Sequence, residues 1–230
     1  MKTIGLLGGM SWESTLSYYK IINEETKKAL GKLHSAKIAM VSVDFEPIEV
    51  LQHKGDWDGT AKILAEEAKN IENAGADFLL ICTNTMHKVA PQIENQIDIP
   101  ILHIADATGE ALKNDGIKKV GLLGTAFTMQ QDFYKNRLIE KFDLDVQVPN
   151  EEEIQIVHKI IYEELCLGKI EEDSKNEYIK IIENLVKDGC EAIILGCTEI
   201  GLLVEQKDAS VPLYDTAEIH AKAAVKRANS

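Results

Sequence analysis

Ile81-Cys82-Thr83-Asn84-Thr85-Met86-His87-Lys88 follows an apolar run, Phe78-Leu79-Leu80-Ile81, and leads into Val89-Ala90-Pro91. An unbroken apolar run of this kind reads as a strand buried on both faces, as in parallel sheets. Small hydroxyl and amide side chains follow where it ends. In open α/β sheets, ligands bind outside that carboxyl end. The stretch has a second copy: residues 75–85, from Gly75 to Thr85, match residues 189–199, from Gly189 to Glu199. The offset is constant at 114 residues (189 − 75). In this register Thr83 falls on Cys197, Asn84 on Thr198 and Thr85 on Glu199.

A second pair of blocks agrees. Val120-Gly121-Leu122-Leu123-Gly124 repeats Ile4-Gly5-Leu6-Leu7-Gly8 at an offset of 116 (120 − 4). Glycine-ended strands recur by chance in doubly wound folds, but two matched blocks at nearly one offset indicate an internal repeat. Around them, strands are expected at 38–43, 99–102, 146–148 and 211–213. Helices are expected at 60–74, 91–96, 106–114, 128–142, 154–165 and 215–228. A further helix starts at Ser11 or Ser14 and runs to about residue 30, and Ser174 caps another. Residues 44–56 lack a clean period and read as a loop or a short helix. Strands alternating with helices imply parallel sheets with helices on both sides. The expected fold is therefore α/β with two pseudo-symmetric lobes, each a parallel sheet flanked by helices. Residues 1–100 plus 212–230 are assigned to the first lobe and 101–211 to the second. The active site is expected in the cleft between them.

The balance of charge narrows the partners. With 25 Lys and Arg against 38 Asp and Glu, the formal net charge is −13. Nucleic acids and anionic membranes need clustered cations, so neither is expected. A small anionic substrate stays possible, because backbone N–H groups hold carboxylates. None of the four cysteines, Cys82, Cys166, Cys190 and Cys197, forms a CxxC pair. Zinc and thioredoxin-like readings therefore lack support, and no metal site is expected. The opening residues are too brief and too glycine-broken for a signal segment. No run approaches the ~18 apolar residues of a membrane span. A cytoplasmic protein with free thiols is the expectation.

Two equivalent strand ends suit a reaction at a centre approached from both sides. Racemisation is such a reaction: one group removes a proton and another delivers one to the opposite face. Thiols serve it well, since the thiolate is a good base and the thiol an available acid near neutrality.

Cys82-Thr83-Asn84-Thr85-Met86-His87, Gly196-Cys197-Thr198-Glu199 and the opening Gly5-Leu6-Leu7-Gly8-Gly9-Met10 resemble the cofactor-independent aspartate/glutamate racemases. The resemblance spans essentially the whole chain and is nearest to the broad bacterial subgroup with an L-substrate preference. It implies an amino-acid racemase acting on L-aspartate and L-glutamate, without pyridoxal phosphate or metal, as a homodimer. It also implies two catalytic cysteines, one from each lobe. The second is present as Cys197. At the first position, before Asn84-Thr85, this chain has Thr83, and the internal repeat independently sets Thr83 against Cys197. Cys82 is no substitute, because neighbouring strand residues point to opposite faces. Thr83 and Cys197 are therefore the candidate catalytic pair.

Asn84, Thr85 and Thr198 offer donors for the substrate α-carboxylate, where charge builds as the carbanion forms. Gly8, Gly9 and Met10 open a helix, and their backbone N–H groups can hold a carboxylate. Gly124-Thr125 is the matching turn of the second lobe. Glu199 can receive the α-ammonium or orient Cys197, and a solvated role is as plausible. The family's lysine two residues before a glycine is replaced by Cys166, and its arginine after the second strand has no counterpart. Gln52 lies in that region and can hydrogen-bond the distal carboxylate, or be a solvated loop amide. His87, His103 and His220 lack ligand spacing and read as structural. Trp12 either covers the cleft or packs at a helix start. Rival readings on the same scaffold are a maleate-isomerase-like enzyme, a decarboxylase, and a catalytically silent protein that binds an acidic amino acid.

Overall fold

The computed structural model describes all residues, Met1–Ser230, and the chain forms two compact units. Unit 1 comprises 1–104 and 220–230; unit 2 comprises 105–219.

Unit 1 contains β1 (Ile4–Gly8), α1 (Trp12–Leu30), β2 (Ile38–Ser42), α2 (Phe45–His53), α3 (Trp57–Asn73), β3 (Phe78–Ile81), a 3-10 helix over Thr85–Val89 and α4 (Ala90–Glu94). The chain leaves through α5 (Ile104–Asn114). Unit 2 contains β4 (Lys119–Gly124), α6 (Ala126–Gln130), α7 (Asp132–Phe142), β5 (Asp145–Gln147), α8 (Glu151–Glu163), α9 (Glu172–Lys187), β6 (Ala192–Gly196), α10 (Ile200–Leu203) and β7 (Leu213–Asp215). It returns through α11 (Thr216–Asn229).

Both sheets are wholly parallel, ordered β2-β1-β3 and β5-β4-β6-β7. β1, β3 and β6 are buried along their whole length, as continuous apolar strands must be. The repeat reappears in the pairing register. Ile4 stands opposite Phe78, and Val120 opposite Ala192. The 116-residue and 114-residue offsets therefore map one strand pair onto the other without a slip. The match extends further. The Leu79 amide donates to the Pro100 carbonyl and the Ile193 amide to the Pro212 carbonyl, both at 3.0 Å. Gly5 and Gly121 also agree. A Cβ on Gly5 would lie 2.7 Å from Ile71 of α3, and one on Gly121 2.8 Å from Leu185 of α9. Each glycine lets a helix lie directly on its sheet.

Several elements differ from the sequence reading. The strand expected at 99–102 is a single bridge, Leu79 to Ile101. The helix expected at 128–142 is two helices, broken at Gln131, whose ψ of 151° is extended. Thr125 caps the first of them by accepting from the Thr128 amide. Ser174 lies inside α9 rather than at its cap. Residues 44–56 are mostly the helix α2. β7 pairs with β6, so residues 212–219 belong with unit 2 rather than with the first lobe.

A buried histidine ties the return of the chain into unit 1. His220 Nε2–H donates to the Leu102 carbonyl at 2.7 Å, which leaves Nδ1 to accept from the Tyr18 hydroxyl at 2.8 Å. Both bonds suit the neutral ring. Burial pushes its pKa down from 6.5 to about 4. Above pH 6.5 both folded and unfolded forms are neutral there, so the group adds no pH dependence. Between 6.5 and 4 only the unfolded form takes the proton, so stability falls with pH, by roughly 3 kcal/mol across the window. Urea unfolding of wild type and His220→Gln tests this: their stability difference should shrink by about that amount from pH 7 to pH 4. A difference that stays constant contradicts it.

Candidate active site

In unit 1 the candidate residues gather at the carboxyl ends of β1 and β3. Thr83, Asn84 and Thr85 follow β3 and are buried, with Thr83 9% exposed. His87 locks this strand end. The Ile104 amide donates to its Nε2 at 3.2 Å, so its proton resides on Nδ1, which donates to the Thr83 carbonyl at 2.8 Å. Cys82 is fully buried, and its thiol, pushed up by burial, reaches only the Leu80 carbonyl at 4.0 Å.

The turn after β1 is built differently from the sequence expectation. Gly9 has φ of +94°, and a Cβ there would lie 2.3 Å from the Val43 carbonyl oxygen, so only glycine fits. Its amide donates to Thr15 Oγ1 at 2.8 Å. That N–H holds its own helix start and is not available to a carboxylate. The Met10 side chain packs in the apolar core with Ile48 and Ala61, so a substrate role is left to its backbone. Gln52 is no solvated loop amide: it sits in the last turn of α2 and is 1% exposed. Trp12 is largely exposed, which removes its packing reading.

In unit 2 Cys197, Thr198 and Glu199 follow β6, and all three are buried. The Cys197 thiol donates to Glu199 Oε2 at 2.9 Å, and the Thr198 hydroxyl donates to the same oxygen at 2.9 Å. Burial, the Glu199 charge and the nearby Cys166 push the Cys197 thiol well above the usual thiol range. Sγ is thus a thiol whose proton points at a carboxylate. Thr125 is occupied in capping α6, and the Ala126 amide beside it donates to His158 Nδ1 at 3.1 Å.

The surroundings of Cys197 add residues that the sequence reading passed over. Tyr178 of α9 is fully buried, donates to the Val157 carbonyl at 3.3 Å, and feels the charges of Cys197, Cys166, Glu164 and Glu199. Asp215, at the end of β7, has its carboxyl raised by burial and feels Glu199. No spacing in the sequence signals either one. Their role follows from β6 and β7 being neighbours and from α9 lying on β4. A groove of about 720 Å3 lies elsewhere, along α3 and α4. Its walls, among them Asp58, Lys62, Lys69 and Gln92, carry no cysteine, threonine or histidine, so the strand ends are the better site.

The β6 end thus carries a thiol bonded to a buried carboxylate, and the repeat-related β3 end carries a buried hydroxyl; both are groups that can take part in proton transfer. The chain matches the Asp/Glu/Hydantoin racemase family over residues 7–224 and belongs to it. It is 22% identical to the broad specificity amino-acid racemase RacX of Bacillus subtilis, with 96% of each chain covered. It is 32% identical to the glutamate racemase of a Hydrogenobaculum strain, over 64% of this chain and 55% of that one. Among solved structures, a candidate Asp/Glu racemase from Yersinia pestis superposes with a TM-score of 0.93 at 53% identity, covering 100% of both chains. An aspartate racemase homologue from Pyrococcus horikoshii superposes at 0.85 with 38% identity, again over 100% of both.

If the Glu199 carboxylate holds the thiol proton, Glu199→Gln removes a buried negative charge beside Sγ. Alkylation of Cys197 by iodoacetamide, followed by peptide mass mapping against pH, should then rise at lower pH. At pH 8 its rate should be about tenfold or more above wild type, one pKa unit being a factor of ten in thiolate. Superimposable pH profiles would refute the carboxylate's hold on the proton.

Proposed function

We propose that this racemase acts on L-aspartate and L-glutamate, without pyridoxal phosphate or metal, through Cys197 and Thr83 on opposite faces of the substrate Cα. The observation that carries the reading is the pair of hydrogen bonds converging on Glu199 at the β6 end, with Thr83 at the repeat-related β3 end.

The steps balance as follows. Glu199 takes the Sγ proton, leaving a thiolate beside a neutral carboxylic acid, so the local charge is unchanged. The thiolate removes the Cα proton: an S–H bond forms, the Cα–H bond breaks, and the electron pair moves toward the α-carboxylate. Asn84, Thr85 and Thr198 then stabilise that carboxylate, and donors aimed at developing charge are worth most in a dry site. The Thr83 hydroxyl delivers a proton to the other face and regains one from water. The hydroxide left behind takes the proton stored on Glu199. The substrate α-ammonium enters a region that feels the acidic groups Glu199, Glu164 and Asp215, which favours a cation there. Gln52, and Met10 through its backbone, complete the substrate contacts in this reading, while Thr125 is left to cap α6; the reading also takes the protein as a cytoplasmic homodimer. A decarboxylase or maleate-isomerase-like activity, or a silent binder, is what remains if Cα exchange is absent.

Thr83 governs handedness. A threonine hydroxyl stays protonated near pH 7 and makes a poor base, whereas the Cys197 thiol has the Glu199 carboxylate at 2.9 Å to take its proton. Starting from L, Cys197 abstracts and Thr83 donates; starting from D, the roles reverse and the base is lacking. The enantiomers have equal free energy in water, so a one-way racemase is forbidden, and the asymmetry must show as slow handling of D that is hard to saturate. Thr83→Cys places a thiol on each side. Chiral chromatography should then find D-aspartate or D-glutamate a readily measured substrate of the variant. Similar saturating rates for D and L in the wild type would contradict this assignment.

A further inference from the structure

Three buried histidines of unit 1 meet from distant parts of the chain. His87 follows the β3 end, His103 stands just before the crossing from Ile104 to Ala105, and His220 comes just after the return from Ile219. The ring centroids of His87 and His103 are 4.4 Å apart, and those of His87 and His220 are 6.0 Å apart. His87 joins two backbone groups through one neutral ring. Nδ1–H reaches the carbonyl of Thr83, and Nε2 accepts the amide of Ile104, the first residue of the helix that carries the chain away. His220 holds the Leu102 carbonyl two residues earlier. The Thr83 carbonyl is thus linked, through one imidazole and its packed neighbours, to both places where the chain passes between units.

We propose that His87 is the positioning residue for Thr83: its Nδ1–H fixes the peptide plane that presents the Thr83 hydroxyl, and its ring ties that plane to the chain crossings at 104 and 220. The Thr83 carbonyl shares its peptide plane with the Asn84 amide, so one hydrogen bond orients both residues. The 3-10 helix is too short to hold this plane by itself. Its Asn84 carbonyl accepts from the His87 amide at 3.1 Å, one residue beyond the plane in question. Any buried imidazole needs partners for its nitrogens; what matters here is that one of them is the Thr83 carbonyl. The inference rests on the chemical role given above to Thr83.

Two variants split the bonds. Asn at 87 keeps a donor near the Nδ1 position and loses the acceptor for Ile104. Gln keeps a group near Nε2 and loses the donor to Thr83. Conversion of L-aspartate and L-glutamate to their D enantiomers, followed by chiral chromatography as kcat and KM with the full chain, should stay within about threefold of wild type in His87→Asn. In His87→Gln kcat should drop about tenfold or more with KM nearly unchanged, since small misplacements of a reacting group are costly to rate. The melting temperatures of the two variants should not follow that order. Equal losses in both variants, or losses that track melting temperature, would overturn the proposal. Amide hydrogen exchange at residues 83–85 reads the same split without turnover: faster in His87→Gln, unchanged in His87→Asn. A wild type inactive on every amino acid would therefore sink the racemase reading, while the amides alone still decided for or against His87.

Discussion

Two protons converge on one buried carboxylate oxygen. The thiol of Cys197 and the hydroxyl of Thr198 both point at Glu199 Oε2. A carboxylate removed from water needs such donors, because an unsatisfied buried charge costs several kcal/mol. The thiol in turn is held protonated by the charge it bonds. This arrangement sets the resting state of the site. In the proposed mechanism this thiol–carboxylate pair is the stored reagent, and it becomes a base by moving a proton over less than a bond length. The paired geometry depends on β6 ending where it does, which depends on its register with β4 and β7.

The internal repeat makes the β3 end the counterpart of the β6 end. Both sheets place the corresponding strand beside the first strand of their unit in one register. Parallel strands buried on both faces leave only their carboxyl ends for polar side chains. Within this shared frame the two ends have diverged. The β6 end carries a thiol and its carboxylate, whereas the β3 end carries a threonine whose carbonyl is held by a histidine. In the proposed mechanism the first end accepts a proton and the second gives one. The turn after β1 is no general anion cradle, since the Gly9 amide is spent on Thr15. In the proposed reading, binding in unit 1 therefore falls more heavily on Asn84, Thr85 and the buried Gln52.

Much of this was legible in the chain because the strongest signals were local or repeated. Apolar runs of four or five residues ended by glycine or small polar residues gave β1, β3, β4 and β6. The constant offset sets Thr83 against Cys197 in the sequence itself. What escaped depended on partners far away in sequence. The break at Gln131 interrupts an apolar pattern that continues across it, and leaves a short α6 whose start is fixed by the Thr125 cap and by His158 taking the Ala126 amide. The allegiance of residues 212–219 follows from β7 finding β6, a pairing that no local pattern encodes. Gln52 read as a loop amide because nine residues of α2 are too few for a clear period. The raised thiol of Cys197 requires knowing that Glu199 turns back toward Sγ, and the His87, His103 and His220 cluster exists only once residues 87, 103 and 220 are folded together.

The central claim is that Cys197 exchanges the Cα proton of an L-acidic amino acid with solvent. Proton NMR in D2O, with L-aspartate and L-glutamate in separate samples, tests it directly. Wild type should replace the Cα proton with deuterium while the D enantiomer accumulates. Cys197→Ser, with unchanged circular dichroism, should leave that proton in place. Exchange in Cys197→Ser at the wild-type rate, or interconversion in wild type without deuterium at Cα, would contradict the account.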